Sequence, residues 1–430
     1  MYDIYSSAKR YFKNNAFISL LSGSIFAQVI TLSTLPLITR LYSLDDMGLI
    51  SVFISFISIP SAIAFFKFEN AILVYRNLDE SRPLWLILLF SILVVSIITF
   101  ILFFIFHYYA IFGIDHLPLW SSAFVILIIL FSGTANVIKS LLIRNRDYHS
   151  IAKLTVFKNV QNALLRIIGG ILGGGLVSLL FAELLCMYSF FVEMLKRDMK
   201  YIIRTLRETK ASDALEEARN KKKFPLFESP SVLLDQLNAI LPLLLIAQML
   251  GPAFTALFSL SYRITFLPGS HLGASMGEMF RGKFSQLYRD YEFFKARALL
   301  KNSIKKVFLL SLIFYIPIYI LVPEIIPFVF GEKWRASSDL VKYITPWAAT
   351  SFVVSTLSSV FSVMQIQYLK LIYDVSALLL LGAVLYFLPV NNLLDFTKAI
   401  CMSNIASNII YFVLILITLN KLSKCVVSPV

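Results

Sequence analysis

The sequence predicts an all-α integral membrane protein with about twelve transmembrane helices in two six-helix lobes. Three observations predict this class. The 430-residue chain is 58% hydrophobic, with a mean hydropathy of +0.79. Apolar runs of about 20 residues, the length that crosses a bilayer as a helix, recur from end to end. Lysine and arginine concentrate in every second connection between these runs.

Twelve apolar runs are interpreted as spans. The first is too long for the apolar part of a cleavable signal peptide and lacks a small-residue cleavage site, so we expect it to be retained. The approximate bounds of the spans are 16–38, 48–66, 84–106, 120–143, 154–174, 176–195, 228–249, 253–280, 303–322, 341–364, 369–388 and 396–419.

The basic residues predict the orientation of these spans. With the N-terminus inside, the cytoplasmic stretches carry 32 lysines and arginines, and the outer stretches carry five. The positive-inside rule therefore predicts that both termini are cytoplasmic. This bias also accounts for the net charge of +14, so no nucleic-acid partner is expected.

The longest polar segment, 196–227, suggests how the chain is divided. We expect an N-terminal lobe at 1–195, a cytoplasmic basic linker at 196–227 and a C-terminal lobe at 228–430. Pro36 and Pro242 lie in similar Leu-Pro-Leu segments, each followed by a short turn and another span. Such a parallel repeat predicts a substrate site between the lobes and rocking between inward- and outward-open states.

Two further segments carry expectations. The stretch 281–306 mixes eight basic residues with aromatic ones, which is typical of an amphipathic helix at the cytoplasmic interface or of topology-setting charge alone. The longest outer loop is expected at about 323–340.

Two arginines, Arg166 and Arg263, lie in the middle of otherwise apolar runs. A guanidinium in hydrocarbon is costly, so such residues usually face a polar cavity or a partner. We expect both to line a cavity that holds an anion. The alternatives are snorkelling of Arg166 to the outer interface and a structural pair between Arg263 and an acid such as Asp235.

The residues after Arg263 predict a bend and a packing face. Pro268 removes a backbone hydrogen bond from its helix. Small residues then recur every four positions, a spacing that lets helices pack closely, at Gly269, Gly273 and Gly277.

Other charged and polar residues are expected at the same cavity. Lys139 and Lys67 are further candidate cations, and Lys67 should find a partner on another helix because i, i+2 neighbours such as Glu69 do not face one another on a helix. Polar faces of the first span of each lobe could contact a sugar, through Gln28, Thr31 and Asn238. Asp235 is the first candidate for ion coupling, with Glu183 and Asp374 as alternates, since a carboxylate in low dielectric can exchange a proton.

Motifs of known catalytic chemistry are missing from the sequence. It contains no P-loop, no H-E-x-x-H and no G-x-S-x-G, so neither ATP hydrolysis nor a cofactor is expected. Cys186, Cys401 and Cys425 are too scattered for a disulfide framework or a metal site.

Several segments together resemble a known family. They are Thr39–Gly48 with Phe68–Ile72, then Phe224–Ser231 with Leu260–Pro268, then Phe330–Arg335 followed by Ile344–Trp347. In this order and spacing they are similar to Wzx-type O-antigen flippases, the polysaccharide-transporter branch of the multidrug/oligosaccharidyl-lipid/polysaccharide (MOP) superfamily. Leu44 and Met47 stand where that family often has Pro and Phe.

The resemblance implies the MOP fold and a flippase rather than an enzyme. The expected substrate is a polyprenyl-pyrophosphate-linked oligosaccharide, moved from the cytoplasmic to the periplasmic leaflet of a bacterial inner membrane. Implied partners are membrane lipids, a coupling proton or sodium ion, and the polymerase and chain-length proteins of the same pathway. Two alternatives remain open: a MATE-like exporter of small solutes, and a membrane glycosyl polymerase or ligase.

Overall fold

The computed structural model describes most of the chain. The first residues of the predicted first span lie outside the described residues, which are 23, 25–73, 75, 78–145, 147–222, 224–364, 366, 368–387 and 392–427. The chain forms two compact units, residues 1–253 and 254–430. The predicted lobes, with a linker at 196–227, stay a prediction.

The first unit is helical over nearly all of its described length. Short 3₁₀ turns occupy Phe68–Leu73, Leu78–Ser81, Ile114–His116 and Leu119–Ser121, and a π turn occupies Phe224–Glu228. The helices are α1 Ile25–Leu41, α2 Leu44–Ala62, α3 Arg82–Tyr108, α4 Ser122–Arg144, α5 Tyr148–Ile171, α6 Gly175–Glu208, α7 Ala211–Asn220 and α8 Ser229–Leu250.

The packing in this unit centres on α6, which lies against α5, α4, α3 and α2. The start of α2 helps to fix that arrangement. Ser43 caps α2 by accepting a hydrogen bond from the backbone N–H of Asp46 at 3.0 Å. The Asp46 carboxylate in turn accepts one from the backbone N–H of Leu176 at 3.0 Å, so one acid joins the N-terminal turns of two helices.

The second unit is built around α11. A 3₁₀ turn at Glu332–Trp334 precedes it, and Trp334 is fully buried. Phe352, Leu357, Tyr411 and Ile415 belong to the hydrophobic core between α11 and its neighbours α10 and α14. The helices are α9 Pro252–Arg289, α10 Phe293–Phe330, α11 Arg335–Leu357, α12 Ser359–Val363, α13 Tyr368–Phe387 and α14 Leu393–Val427.

The glycine stripe of α9 lies where helices approach closely. A Cβ at Gly269 would lie 2.0 Å from the Tyr315 hydroxyl of α10, and one at Gly273 would lie 3.3 Å from Phe352 of α11. Gly277 lies against the backbone of Thr356. Pro36, Pro242 and Pro268 each lie inside a continuous helix, α1, α8 and α9 respectively.

Within the described residues, nine helical stretches are long and apolar enough to cross a membrane, and α1 is a shorter apolar helix. The helices α5 and α9, which carry Arg166 and Arg263, are not among the nine. Both also carry other polar and charged side chains, which lower their hydropathy. The count of twelve spans stays a prediction.

Two predictions about connections are wrong. The expected outer loop at 323–340 is largely helical, because α10 runs on to Phe330 and α11 begins at Arg335. The basic stretch 281–306 is not one interfacial helix, because α9 ends at Arg289 and α10 begins at Phe293. Its basic residues therefore belong to the ends of two long helices.

Candidate functional site

One face of α5 carries a continuous polar stripe. Its members recur at the spacing that places side chains on one side of a helix, at Thr155, Lys158, Asn159, Asn162 and Arg166. The helix therefore presents amides and cations in a row along the first unit.

Arg166 is held by a carboxylate on the adjacent helix. The guanidinium Nη2 lies 3.1 Å from Oε2 of Glu183 in α6, within the apolar stretch Gly175–Met194. Asn162 donates to the same oxygen at 3.1 Å. Charge-assisted hydrogen bonds of this kind are the strong ones in a low-dielectric interior. The structure thus brings together a predicted cavity cation and a predicted coupling acid.

One N–H donor of Arg166 has no acceptor among the described residues. The residue is 6% exposed, and its buried Nε finds no hydrogen-bond acceptor among the residues that the structure describes. Buried polar groups are almost always hydrogen-bonded. A second acceptor beside Glu183, such as an anionic ligand, would therefore satisfy the free Nε–H of the Arg166 guanidinium.

Two further cations extend the cluster. Lys158, half-buried on α5, acts electrostatically on Glu183, and Lys139 of α4 lies close enough to Lys158 for the two to repel. Lys139 is exposed, with its Nζ 5.6 Å from the centre of the Phe190 ring. Lys139, Lys158 and Arg166 carry three positive charges against the one negative charge of Glu183. We name these four residues the basic cluster.

Hydrogen bonds from α1 and from Tyr42, the residue that follows it, position the helices that carry the basic cluster. The Tyr42 hydroxyl donates to the backbone carbonyl of Arg166 at 2.7 Å and lies 2.8 Å from the Ser178 hydroxyl of α6. Thr31 of α1 is half-buried, and its hydroxyl donates either to the Ala27 carbonyl at 2.9 Å or to Oδ1 of Asn159 at 3.2 Å. These bonds fix the height and rotation of α5 relative to α1 and α6.

The expected partner of Lys67 on another helix is wrong. Its Nζ pairs with Glu69 Oε1 at 3.7 Å. The expectation assumed a helix, but α2 ends at Ala62 and Lys67 has a positive φ of 61°, so the i, i+2 side chains turn toward one another. Glu69 is buried, and burial raises the pKa of its carboxyl above the usual range while Lys67 opposes that rise.

The remaining predicted residues lie on other helices than α4, α5 and α6. Arg263 is half-buried on α9 in the second unit, where its neighbour Tyr262 stacks on Phe266 at 4.3 Å. Asp374 is buried and accepts from Lys370 Nζ at 3.4 Å on the same helix. Asp235 is exposed on α8, and Gln28 and Asn238 are half-buried on α1 and α8.

Sequence reasoning missed several residues of this site, among them Lys158, Asn159, Asn162, Tyr42 and Ser178. Lys158 and Asn162 had a readable signal, since they precede Arg166 at intervals of four, the spacing of one helix face. Tyr42 and Ser178 act through contacts more than a hundred residues apart, and no local pattern marks them.

Comparison with known proteins identifies the family. A family profile described as "Polysaccharide biosynthesis protein" matches residues 37–339. The chain belongs to this family. Its match, together with the fold, confirms the predicted membership of the polysaccharide-transporter branch of the MOP superfamily. A search of curated proteins gives no significant match.

Solved structures show the fold of this polysaccharide biosynthesis protein. An inward-facing multidrug resistance MATE transporter of the MOP superfamily aligns over 95% of this chain and 99% of its own, with TM-score 0.66 and 16% identity. The lipid II flippase MurJ in an inward closed conformation aligns over 95% and 90%, with TM-score 0.68 and 13% identity. A MOP superfamily transporter from Pyrococcus furiosus aligns over 95% and 96%, with TM-score 0.59 and 16% identity.

These matches confirm the predicted fold class, an all-α membrane protein that resembles the MOP superfamily. The polysaccharide biosynthesis protein is therefore a multi-pass membrane protein with a transporter fold. At these identities the likeness extends to the fold and not to the transported molecule.

Proposed function

We propose that this protein is a flippase. It moves a polyprenyl-pyrophosphate-linked oligosaccharide, such as an O-antigen repeat unit, from the cytoplasmic to the periplasmic leaflet of the bacterial inner membrane. Its family supports a role in polysaccharide biosynthesis, and its fold supports transport by alternating access. The single observation that carries the proposal is the basic cluster, in which Arg166 is paired with Glu183, Lys158 acts on the same carboxylate, and Lys139 lies near Lys158.

The basic cluster suits a pyrophosphate. A surplus of positive charge in a low-dielectric setting attracts an anion, and arginine binds phosphate oxygens through two parallel hydrogen bonds. Arg166 has an unused buried Nε beside the Nη2 that holds Glu183. Asn159 and Asn162 on the same face offer amides to the first sugar, and Gln28, Thr31 and Asn238 are the further candidates for contacts with sugars.

The Arg166–Glu183 pair offers a route to ion coupling. A pyrophosphate that takes Arg166 as its partner would leave the Glu183 carboxylate without its ion-pair partner inside the membrane. A carboxylate in that position takes up a proton, since a bare charge there is costly. Substrate binding and protonation of Glu183 would then occur together. Asp235 and Asp374 are the other coupling candidates. Only Glu183 among the three is paired with Arg166, the residue proposed to bind the pyrophosphate.

The remaining predicted cations are assigned to other stages of the transport cycle. Arg263 and Lys67 are candidates for holding the pyrophosphate at other stages of the cycle. The lipid tail stays in the bilayer while the head group crosses. The polymerase and chain-length proteins of the same pathway would then receive the product at the periplasmic face.

The test is the amount and sidedness of lipid-linked oligosaccharide in cells that lack the gene. We expect single repeat units to accumulate on the cytoplasmic face, with wild-type protein reversing the accumulation and Arg166→Ala failing to reverse it. The matched control is Arg289→Ala, which removes an exposed arginine at the end of α9 and should complement fully. Membrane levels of each variant are measured in parallel, so that loss of protein is not scored as loss of transport.

Two other outcomes would support different functions. Accumulation on the periplasmic face would mean that translocation is intact, which favours a polymerase or ligase. No accumulation in a strain without a second flippase would favour a small-solute exporter, an alternative that the match to a MATE transporter keeps in view. The basic cluster argues against cationic solutes, because they would be repelled by its surplus positive charge.

A further inference from the structure

A separate apolar groove lies on the second unit, between α10, α11 and α14. Its volume is about 460 Å³. Phe308, Leu312 and Tyr319 line it from α10, Ala349 and Val353 from α11, and Phe412 from α14. None of these residues belongs to the basic cluster, which lies in the first unit.

Three polar residues of the groove direct their hydrogen bonds into the protein. Ser311 donates to the Ala349 carbonyl at 2.9 Å, and Thr350 donates to the Trp347 carbonyl at 2.9 Å. Asn408 donates to Thr350 and Ser351 at 3.0 Å each and accepts from Tyr373 at 3.1 Å. With these groups satisfied, the groove presents hydrocarbon, which suits an alkyl chain and not a sugar.

The face of α10 that lines the groove continues into basic residues. Phe308, Leu312 and Tyr319 follow one another at helical spacing, and Lys301 and Lys305 precede Phe308 by seven and three residues on the same face. Both lysines are exposed. Lys306 is also exposed but lies about 160° around the helix from Phe308.

The dimensions of this face fit one leaflet. At a rise of 1.5 Å per residue, the groove-lining part of α10 from Phe308 to Tyr319 is about 16 Å long, close to half of a hydrocarbon core of about 30 Å. Lys305 lies about 4.5 Å before the groove begins. A positive headgroup site therefore adjoins a hydrocarbon slot of leaflet depth.

We infer that this groove binds one anionic phospholipid, with an acyl chain between α10, α11 and α14 and the phosphate at Lys301 and Lys305. Charge complementarity at the mouth selects an anionic headgroup over a zwitterionic one, because juxtamembrane lysines attract anionic lipids. The bound lipid fills a gap in the helix packing. The inference stands on the second unit alone and does not depend on the proposed substrate.

The test is native mass spectrometry of the delipidated full chain titrated with phosphatidylglycerol or with phosphatidylcholine of the same acyl chains. We expect one phosphatidylglycerol to bind with clear preference. The Lys301→Gln, Lys305→Gln double variant should bind it roughly 25-fold more weakly, at about fivefold for each lysine. The matched control Lys306→Gln removes a neighbouring charge from another face and should stay within about twofold of wild type.

A second variant tests the slot itself. Ala349→Phe should fill the groove and abolish retention of both lipids, and its unfolding midpoint in detergent reports whether it folds. Equal phosphatidylglycerol binding in wild type and the double lysine variant would overturn the inference, as would an equal loss in Lys306→Gln. Displacement of phosphatidylglycerol from wild-type protein by a polyprenyl phosphate at lower concentration would assign the groove to the substrate's tail instead.

Discussion

Arg166 and Glu183 form an ion pair with 3.1 Å between Nη2 and Oε2, and this pair joins α5 to α6. Their side chains are 7% and 14% exposed, so water screens the pair little. Removing one partner from a buried pair is far more damaging than removing both, because a single variant leaves an uncompensated charge in low dielectric. Comparing the single variants with the double variant therefore distinguishes a role of the pair in stability from a role in transport.

The first prediction concerns stability. Arg166→Met and Glu183→Met should each destabilise the protein by roughly 3–5 kcal/mol, whereas the double variant should lose much less than the sum of the two. Unfolding in detergent, followed by tryptophan fluorescence, measures the three variants against wild type. Strictly additive losses would show that the two side chains act independently.

The same double variant is informative in cells. If the pair served stability alone, restoring the fold would also restore the accumulation assay to wild type. We expect the double variant to be well folded and still unable to complement the gene deletion, because no guanidinium remains to meet the pyrophosphate.

The second prediction tests whether the position of a lysine on the polar face of α5 matters, or only the total charge of the helix. Lys158→Gln should weaken substrate interaction roughly tenfold, as expected for loss of a charged hydrogen-bond donor. Lys153→Gln removes the same charge from an exposed position on the opposite side of the helix from Asn162 and should have little effect. Complementation at graded expression levels compares the two. Equal defects would indicate that only the total charge of α5 matters.

Part of the fold and site followed from sequence because the signals are local. Hydropathy and charge bias predict an all-α membrane protein, and an arginine in an apolar run is conspicuous in one dimension. Arg166 and Glu183 were each singled out, but as a cavity cation and an alternate coupling acid. Their pairing depends on the rotation of α5 against α6, which no local spacing encodes.

The wrong expectations share a physical cause, which is that helix ends depend on tertiary contacts. Lys67 was expected to find a distant partner because a helix was assumed to continue beyond Ala62. The ninth span was expected to end at about residue 322, but α10 runs on to Phe330 with Pro323 and Pro327 inside the helix. A proline inside a helix is tolerated where neighbouring helices compensate for the lost hydrogen bond.

The third prediction is a pH dependence of stability from Glu69, which lies between α2 and α3. Burial raises the pKa of this carboxyl in the folded state. The folded protein then holds the proton more tightly than the unfolded chain does. The resulting stabilisation is fully present below the ordinary glutamate pKa of about 4.3 and is lost as pH rises through the raised folded value.

Glu69→Gln should therefore flatten the curve of unfolding midpoint against pH in the mildly acidic range. Glu216→Gln, at an exposed position on α7, serves as the control and should leave the shape of that curve unchanged. A Glu69→Gln curve that parallels wild type throughout would contradict the prediction.

The fourth prediction concerns the contact between Gly48, in the second turn of α2, and Pro252, the first residue of α9, both of which belong to the first unit. A Cβ on Gly48 would lie 1.8 Å from the Pro252 carbonyl oxygen, and backbone atoms cannot move aside as a flexible side chain can. Gly48→Ala should therefore lower the unfolding midpoint in detergent, although alanine favours helix over glycine by about 1 kcal/mol.

Gly282→Ala, inside α9 with open space around its Cβ position, should instead be neutral or stabilising. Because the two substitutions change helix propensity alike, the difference between their midpoints isolates the steric effect at Pro252. Equal midpoints would mean that the start of α2 can shift away from that carbonyl without loss of stability.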